Sequence, residues 1–458
     1  MTTARYTGDA LRQPAGPLTI SLLMLIVCAM AVGRAWAEDA PRPPEQPTPT
    51  EAIFLPLKEE LQNSTLPPFL KDTDLKVHFR SYYFNRTQPN ETVNEAWAFG
   101  GWLSYQSGWL LDTFSMGASL YGSAPLYAPA DRDGTLLLQP GQKGYYAPAE
   151  AWGALRYEDY ALLKGYRQRV DQTYINSQDN RMTPNTFQGV TLGGKVGWMQ
   201  YLGGYLWEIK PRNSDTFIPM SQQAGAANTN DGVGLVGVRL TPIEGLRLDL
   251  SEQYGVNTFN TVYGEAEYVL PLSEDWKLKL GAQFTDQRAV GSALLAPAGG
   301  KKFWSTQAGG VRVQGVYSDL TLTFAFSLTG AGNTIQTPWG SFPGYLSMID
   351  QDFDRARENA ILIGAAYDFK ALVQGLSGNA NFVWGQDAIN PSTGAKAPNQ
   401  AEYDFTVDYR PPFDVRGPLY GIWHGIWFRA RAAILDQQNA KTLGYQFRII
   451  INWDRDLI

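Results

Sequence analysis

Arg429 and Arg431 stand two residues apart, which in an extended chain puts them on one face. Trp427 shares that face, while Ile426, Phe428, Ala430 and Ala432 take the other. Arg448 belongs to the polar side of the next such segment with Gln446 and Asn452, and Arg80 lies beside Lys76 and His78 on the first. A guanidinium fork donates two parallel hydrogen bonds to a carboxylate and keeps its charge at any ordinary pH, so a row of forks suits the capture and passing-on of carboxylates. Arg247 and Arg312 are further candidates for the row. Asp179 and Arg181 sit in a long segment that could stand at a narrowing, and Glu265 and Glu267, on a face with Thr261, could form an opposing acidic wall suited to zwitterions. Arginines that merely balance carboxylates across an interior are the competing explanation.

Other chemistry is poorly supplied. The chain has two histidines, His78 and His424, and one cysteine, Cys28. There is no Gly-x-Ser-x-Gly elbow, and histidine-rich metal sites and Ser/His/Asp catalysis lack the residues they need, so neither an enzyme nor a cofactor is expected.

The elements that would position these side chains read as strands. Asp74 to Arg86 alternates Leu75, Val77 and Phe79 with Lys76, His78 and Arg80. Gly245–Gln253, Trp276–Phe284, Leu320–Leu328 and the last segment, with Tyr445, Phe447, Ile449, Ile451 and Trp453 on one side, repeat the pattern. A soluble sandwich also alternates. Two features favour a membrane barrel instead: many apolar faces begin or end on Trp or Tyr, and connections alternate between tight (Gly108, Glu158-Asp159, Ser318-Asp319) and long (Tyr121–Glu150, Arg169–Phe187, Pro211–Gly232, Gly330–Arg355). From Phe69 onward there is no apolar run of about 18 residues, so no helix is available to span. The aromatic fraction of 13% and 46 glycines, with a mean hydropathy of -0.27, fit many short strands and turns.

The N-terminus reads as a leader for export: Arg5 and Arg12, a mostly apolar run from Leu18 to Val32, then Ala35-Trp36-Ala37, giving a signal peptide over 1–37. Residues 38–68 read as a proline-rich periplasmic segment, with a helical turn over Glu51–Leu61, and 69–458 as the barrel. Loss of Arg5, Arg12, Arg34 and Asp9 with the leader takes the net charge from -6 to -8. Nucleic-acid binding would call for the opposite sign. With no cysteine after the leader, stability must come from a large core or a closed sheet. The residues after Trp453 read as a short periplasmic extension, and His424 as a group near the periplasmic rim.

Phe69-Leu-Lys-Asp-Thr-Asp-Leu-Lys-Val-His-Phe-Arg-Ser-Tyr-Tyr-Phe-Asn-Arg86 closely resembles the opening strand of the OprD-type family of substrate-specific outer-membrane porins. Arg181-Met-Thr-Pro-Asn-Thr-Phe-Gln-Gly189 resembles that family's loop after strand five. Tyr367-Asp-Phe-Lys-Ala-Leu372 with Gly375-Leu376 resembles its late hairpin, and Phe428-Arg-Ala-Arg431 with Phe447-Arg448 its last two strands. The resemblance implies an all-β, eighteen-stranded antiparallel barrel in the bacterial outer membrane, monomeric, with loop 3 folded inward. It also implies diffusion of small carboxylate-bearing solutes, such as amino acids or aromatic acids, along lumenal arginines. Lipid bilayer, lipopolysaccharide and the outer-membrane assembly machinery are the partners this implies. Gln188 and Asn381 depart from the pattern where relatives often carry arginine, which thins the ladder. A non-conducting surface barrel with adhesive or binding loops is the alternative.

Overall fold

The computed structural model describes residues 61, 63–295, 302–412 and 425–458. The leader expected over 1–37, the proline-rich stretch to residue 60, nearly all of the helical turn expected over Glu51–Leu61, and His424 lie outside them.

A single helical turn, α1 (Pro68–Lys71), leads into β1 (Asp74–Thr87). The chain then runs through β2 (Val93–Gln106), β3 (Phe114–Tyr127), β4 (Tyr145–Tyr157), β5 (Ala161–Gln168), β6 (Thr186–Val196) and β7 (Met199–Lys210). A two-residue strand β8 (Ile218–Pro219) and a helical turn α2 (Met220–Gln223) interrupt the next connection. There follow β9 (Val233–Leu240), β10 (Leu246–Gly255), β11 (Phe259–Pro271), β12 (Trp276–Ala289), β13 (Ser305–Tyr317) and β14 (Leu320–Thr329). The last five are β15 (Asn359–Asp368), β16 (Leu376–Gln386), β17 (Gln400–Tyr409), β18 (Ile426–Gln437) and β19 (Gly444–Asp456).

Each strand pairs antiparallel with its neighbours, and β1 pairs with both β2 and β19, from Lys76 opposite Asp456 to Thr87 opposite Tyr445. With β8 set aside, eighteen strands close into an antiparallel barrel, the arrangement that leaves no backbone edge for lipid to cover. The period-2 patterns decide which face points where. Phe79, Phe99, Leu103, Phe284, Leu322 and Phe324 are exposed outward, while His78, Arg80, Tyr82 and Phe84 are buried inward.

Connections differ between the two ends. Short turns occupy 158–160, 197–198, 272–275 and 318–319, whereas 128–144, 169–185, 211–232 and 330–358 are long. The long connection expected over Tyr121–Glu150 is shorter than read, because β3 runs on to Tyr127 and β4 begins at Tyr145. Its inner face carries the small residues Ser123, Ala147 and Ala149, which leave no apolar-polar alternation to read. The extension expected after Trp453 is instead strand: β19 continues to Asp456 against β1, and the Leu457 N–H donates to the Leu75 carbonyl at 2.7 Å.

Two long segments enter the barrel. From 169–185, Tyr174 meets Thr285 of β12 at 2.7 Å, Thr173 meets Ser251 of β10 at 3.2 Å, and Asp179 meets Arg80 of β1 at 2.7 Å. From 330–358, Tyr345 reaches Glu265 of β11, and Ile349 reaches Asp404 of β17 and Arg448 of β19, each at 2.8 Å. Strands this far apart round the barrel can be bridged only through its interior. Glycine makes the room: a Cβ at Gly237 would lie 2.2 Å from Gln172 Nε2, and one at Gly281 would lie 2.5 Å from Tyr345 Oη. Ordering such segments costs about 1–2 kcal/mol per residue in backbone entropy. Burial of apolar side chains within the lumen offsets it, in one cluster of Tyr82, Phe84, Leu137, Leu138, Met182 and Ile450 and another of Tyr174, Tyr263 and Ile335.

Candidate functional site

The registers of β18, β19 and β1 fix a grid on the inner wall. Arg431, Arg448 and Phe84 form one row, and Arg429, Ile450 and Tyr82 the next. Trp427, Asn452 and Arg80 follow, then Asp454 and His78. On β2 the same rows hold Ala96, Ala98, Gly100 and Trp102, so three small residues leave space before the arginines. Arg80, Arg429, Arg431 and Arg448 thus occupy one wall. An arginine turned to lipid would cost about 2–4 kcal/mol at mid-bilayer, which is the force that keeps them inward.

Their partners divide them. Arg429 grips Asp408 through two bonds, at 2.6 and 3.0 Å, and Arg80 binds Asp179 and Asn452, each at 2.7 Å. Arg431 donates to the Thr406 hydroxyl at 3.3 Å, and Arg448 donates to the Ile349 carbonyl at 2.8 Å. Arg181, carried in on the 169–185 segment, donates to the carbonyls of Thr135 and Asn180, each at 2.9 Å. Among the described residues none of Arg181, Arg431 and Arg448 has a carboxylate within ion-pair distance. Arg181 and Arg448 both lie over the Phe84 ring, at 5.1 and 5.2 Å from its centroid. Burial, and then Arg448, Arg212 and Arg86, hold the pKa of Arg181 well below the ordinary guanidinium range. Arg212, in the 211–232 connection, is pushed down to about 10, first by burial. Asp404 acts on Arg431 and Arg448 from beyond ion-pair distance; guanidinium groups gathered this way with no carboxylate in contact favour an anion between them.

The far wall is different. Arg247 lies 3.1 Å from Asp249 and 3.3 Å from Glu265, and Arg312 lies 2.7 Å from Glu267. Tyr345 donates to Glu265 at 2.8 Å. With Arg239 2.6 Å from Asp249, three arginines meet three carboxylates, so Glu265 and Glu267 stand in a balanced ion-pair network, not as a free acidic face. Beside it lies a cavity of about 490 Å³ bordered by Arg239, Arg247, Asp249, Glu265, Gln172 and Asn176. Gln188, in the place read as a lost arginine, accepts from Arg167 at 3.2 Å, and Asn381 binds Asn379 at 3.2 Å.

Several lumenal groups went unread in the sequence. Arg169 pairs with Glu150 at 3.1 Å and lies over Trp102, 4.9 Å from its centroid. Lys210 is fully buried, donating to the carbonyls of Pro211 and Ser214. Glu402 accepts from the Asp350 and Gln351 N–H groups, and Asp404 from that of Ile349. The last contacts had a sequence signal in the inward phase of Gln400, Glu402, Asp404 and Thr406 on β17. The others depend on loop paths that alternation does not describe.

A closed, lipid-facing barrel with a charged interior defines an outer-membrane channel protein. A family model described as outer membrane porin, OprD family, matches residues 67–455, and the chain belongs to that family. Among solved structures, OpdK of Pseudomonas aeruginosa with vanillate is similar at a TM-score of 0.74 and 19% identity, covering 85% of this chain and 100% of that one. OccK9 (OpdG) of Pseudomonas aeruginosa gives 0.73 and 21%, and a BenF-like porin from Pseudomonas fluorescens Pf-5 gives 0.73 and 18%, each with coverage of 85% and 100%. No curated protein matches the chain in sequence. The protein resides in the bacterial outer membrane, and its family is one of channels, not enzymes.

Proposed function

We propose that this porin passes small carboxylate-bearing solutes, amino acids or aromatic and organic acids, by diffusion along Arg80, Arg429, Arg431 and Arg448, with Arg181 and Asp179 at the narrowing and Arg247 and Arg312 on the far wall. The observation that carries this reading is that three buried or half-buried guanidinium groups, Arg181, Arg431 and Arg448, have no carboxylate within ion-pair distance among the described residues. A carboxylate entering a narrow lumen loses hydration, and these forks replace the lost donors. Spacing along the wall lets the anion step from one site to the next without being trapped. Because β1 closes on β19, one chain makes a whole lumen; action as a monomer, inserted by the outer-membrane assembly machinery among lipopolysaccharide and lipid, is part of this proposal.

One observation favours a second reading: the segments 169–185 and 330–358 both cross the lumen, as they would in a plugged surface barrel that binds through its loops. Uptake into proteoliposomes separates the two. Entry of labelled benzoate well ahead of an uncharged sugar of similar size supports the carboxylate porin; entry of neither, from a barrel shown to be folded by heat-dependent gel mobility, supports the plugged barrel.

A further inference from the structure

Different forces fasten the 330–358 segment at its two sides. Leu346 and Phe353 are buried with Ala325, Leu362 and Val383 of β14, β15 and β16. Between them the turn Ile349–Gln351 reaches the guanidinium wall through polar contacts. On the β17 side its three consecutive N–H groups donate to carboxylates, Ile349 to Asp404 at 2.8 Å and Asp350 and Gln351 to the two oxygens of Glu402 at 2.7 and 2.9 Å. On the other side its acceptors meet arginines. The Ile349 carbonyl accepts from Arg448 of β19 at 2.8 Å, and the Asp350 carboxylate lies 3.3 Å from Arg86 of β1.

Asp404 and Arg86 share one row of the wall, next to the row of Arg431 and Arg448 and on the side from which 330–358 enters. The turn therefore covers the approach to Arg448, which is 4% exposed, while the Arg86 side chain keeps 25% of its surface and stays within reach from the lumen. Oxygens of the chain itself stand at these two arginines. A backbone carbonyl offers a guanidinium one neutral acceptor. A carboxylate offers its fork two charged ones, and a charge-assisted hydrogen bond is about twice as strong as a neutral one.

Resting on the carboxylate-porin reading, we propose that the turn Ile349–Gln351 is an internal competitor for the guanidinium wall, displaced by the permeant carboxylate. The solute meets Arg86 first, exchanges with Asp350 there, and then takes the Arg448 fork from the Ile349 carbonyl. The bonds to Glu402 and Asp404 involve neither arginine, so the turn swings on them and falls back when the solute moves on. A solute without a carboxylate has nothing to exchange for these contacts and leaves the turn in place. The turn thus adds to selectivity by opening only for the solutes that the arginines bind.

The test places Ile349→Cys in the full chain, where no cysteine follows Cys28, and reconstitutes it in proteoliposomes. Ile349 is 8% exposed, and the substitution keeps the backbone groups that make the contacts. Modification by a cationic methanethiosulfonate, followed by mass, is expected to run about threefold faster in saturating benzoate than without it. An uncharged sugar of similar size is expected to leave the rate unchanged, and Arg448→Gln on the same background to abolish the acceleration. Benzoate block in bilayers without faster modification, acceleration by the sugar, or acceleration that survives Arg448→Gln overturns the proposal and leaves the carboxylate reading standing. Absence of benzoate block overturns that reading and the proposal with it. Should Ile349→Cys fail the gel-mobility check for a folded barrel, Gln351→Cys at the end of the turn takes its place, with the same outcomes.

Discussion

Arg431 and Arg448 stand directly opposite each other across β18 and β19, and neither has a carboxylate within ion-pair distance among the described residues. Adjacent like charges on paired strands are unfavourable. Under the proposed function, an anion that visits them accounts for their joint presence.

Replacing both with Gln keeps size and hydrogen bonding while removing the charge. Carboxylate block in bilayers is expected to weaken about tenfold, or roughly 1.4 kcal/mol, with the barrel still folded by gel mobility. Arg429→Gln is expected to do less than Arg431→Gln, since Asp408 already occupies the Arg429 fork. An effect of Arg429→Gln as large as that of the double variant would contradict this ranking.

The Arg80–Asp179 pair ties the 169–185 segment to β1. Asp179→Ala leaves Arg80, whose side chain is 7% exposed, without its counter-charge, a change that costs about 3–5 kcal/mol at fully buried sites and less here because Asp179 is partly exposed. The segment loosens. Single-channel conductance and open-channel noise both rise; recordings indistinguishable from wild type would show that the pair does not hold the segment.

On the far wall, Glu265→Gln with Glu267→Gln leaves Arg247 and Arg312 with fewer counter-charges. Reversal potentials in a salt gradient are expected to shift toward anion preference. A shift toward cations would mean that these carboxylates do not set the charge of that wall.

The 330–358 segment carries a pH dependence of definite sign. Burial, then Asp352 and Glu358, hold the pKa of Asp354 well above the ordinary carboxylate range. Asp352 is raised in the same direction by burial. The packed segment therefore binds protons more tightly than the released one. This contribution to its packing is complete in acid, below the ordinary carboxylate pKa, and is lost as pH rises through the raised value. Gating noise should grow with pH, and Asp354→Asn should flatten that growth. Noise that grows toward acid would reverse the sign.

How much of this was legible in the chain can be judged residue by residue. The faces of β1 and β19 were readable, because a two-residue period places Arg80 and Arg448 inside and Phe79 and Ile451 outside without reference to anything distant. The same rule put Arg429 with Arg431. It places Ile450 inward with Arg448 and Asn452 but gives no reason for an apolar residue there, which packs with Tyr82, Phe84 and the loop residues Leu137, Leu138 and Met182 in the lumen. It also could not show that Arg80 meets Asp179 or that Tyr345 meets Glu265, since those contacts depend on where long connections travel. Asp454 was hidden for another reason. The strand was expected to stop at Trp453, and only pairing with β1 reveals that it goes on and brings Asp454 to His78.

The central claim is that free lumenal guanidinium groups conduct carboxylates, and the most direct test is conductance of the purified protein in a planar bilayer under a salt gradient, before and after adding benzoate. The account predicts discrete, small, anion-preferring openings that benzoate interrupts. A silent membrane from a folded barrel, or openings that benzoate leaves untouched, would contradict it.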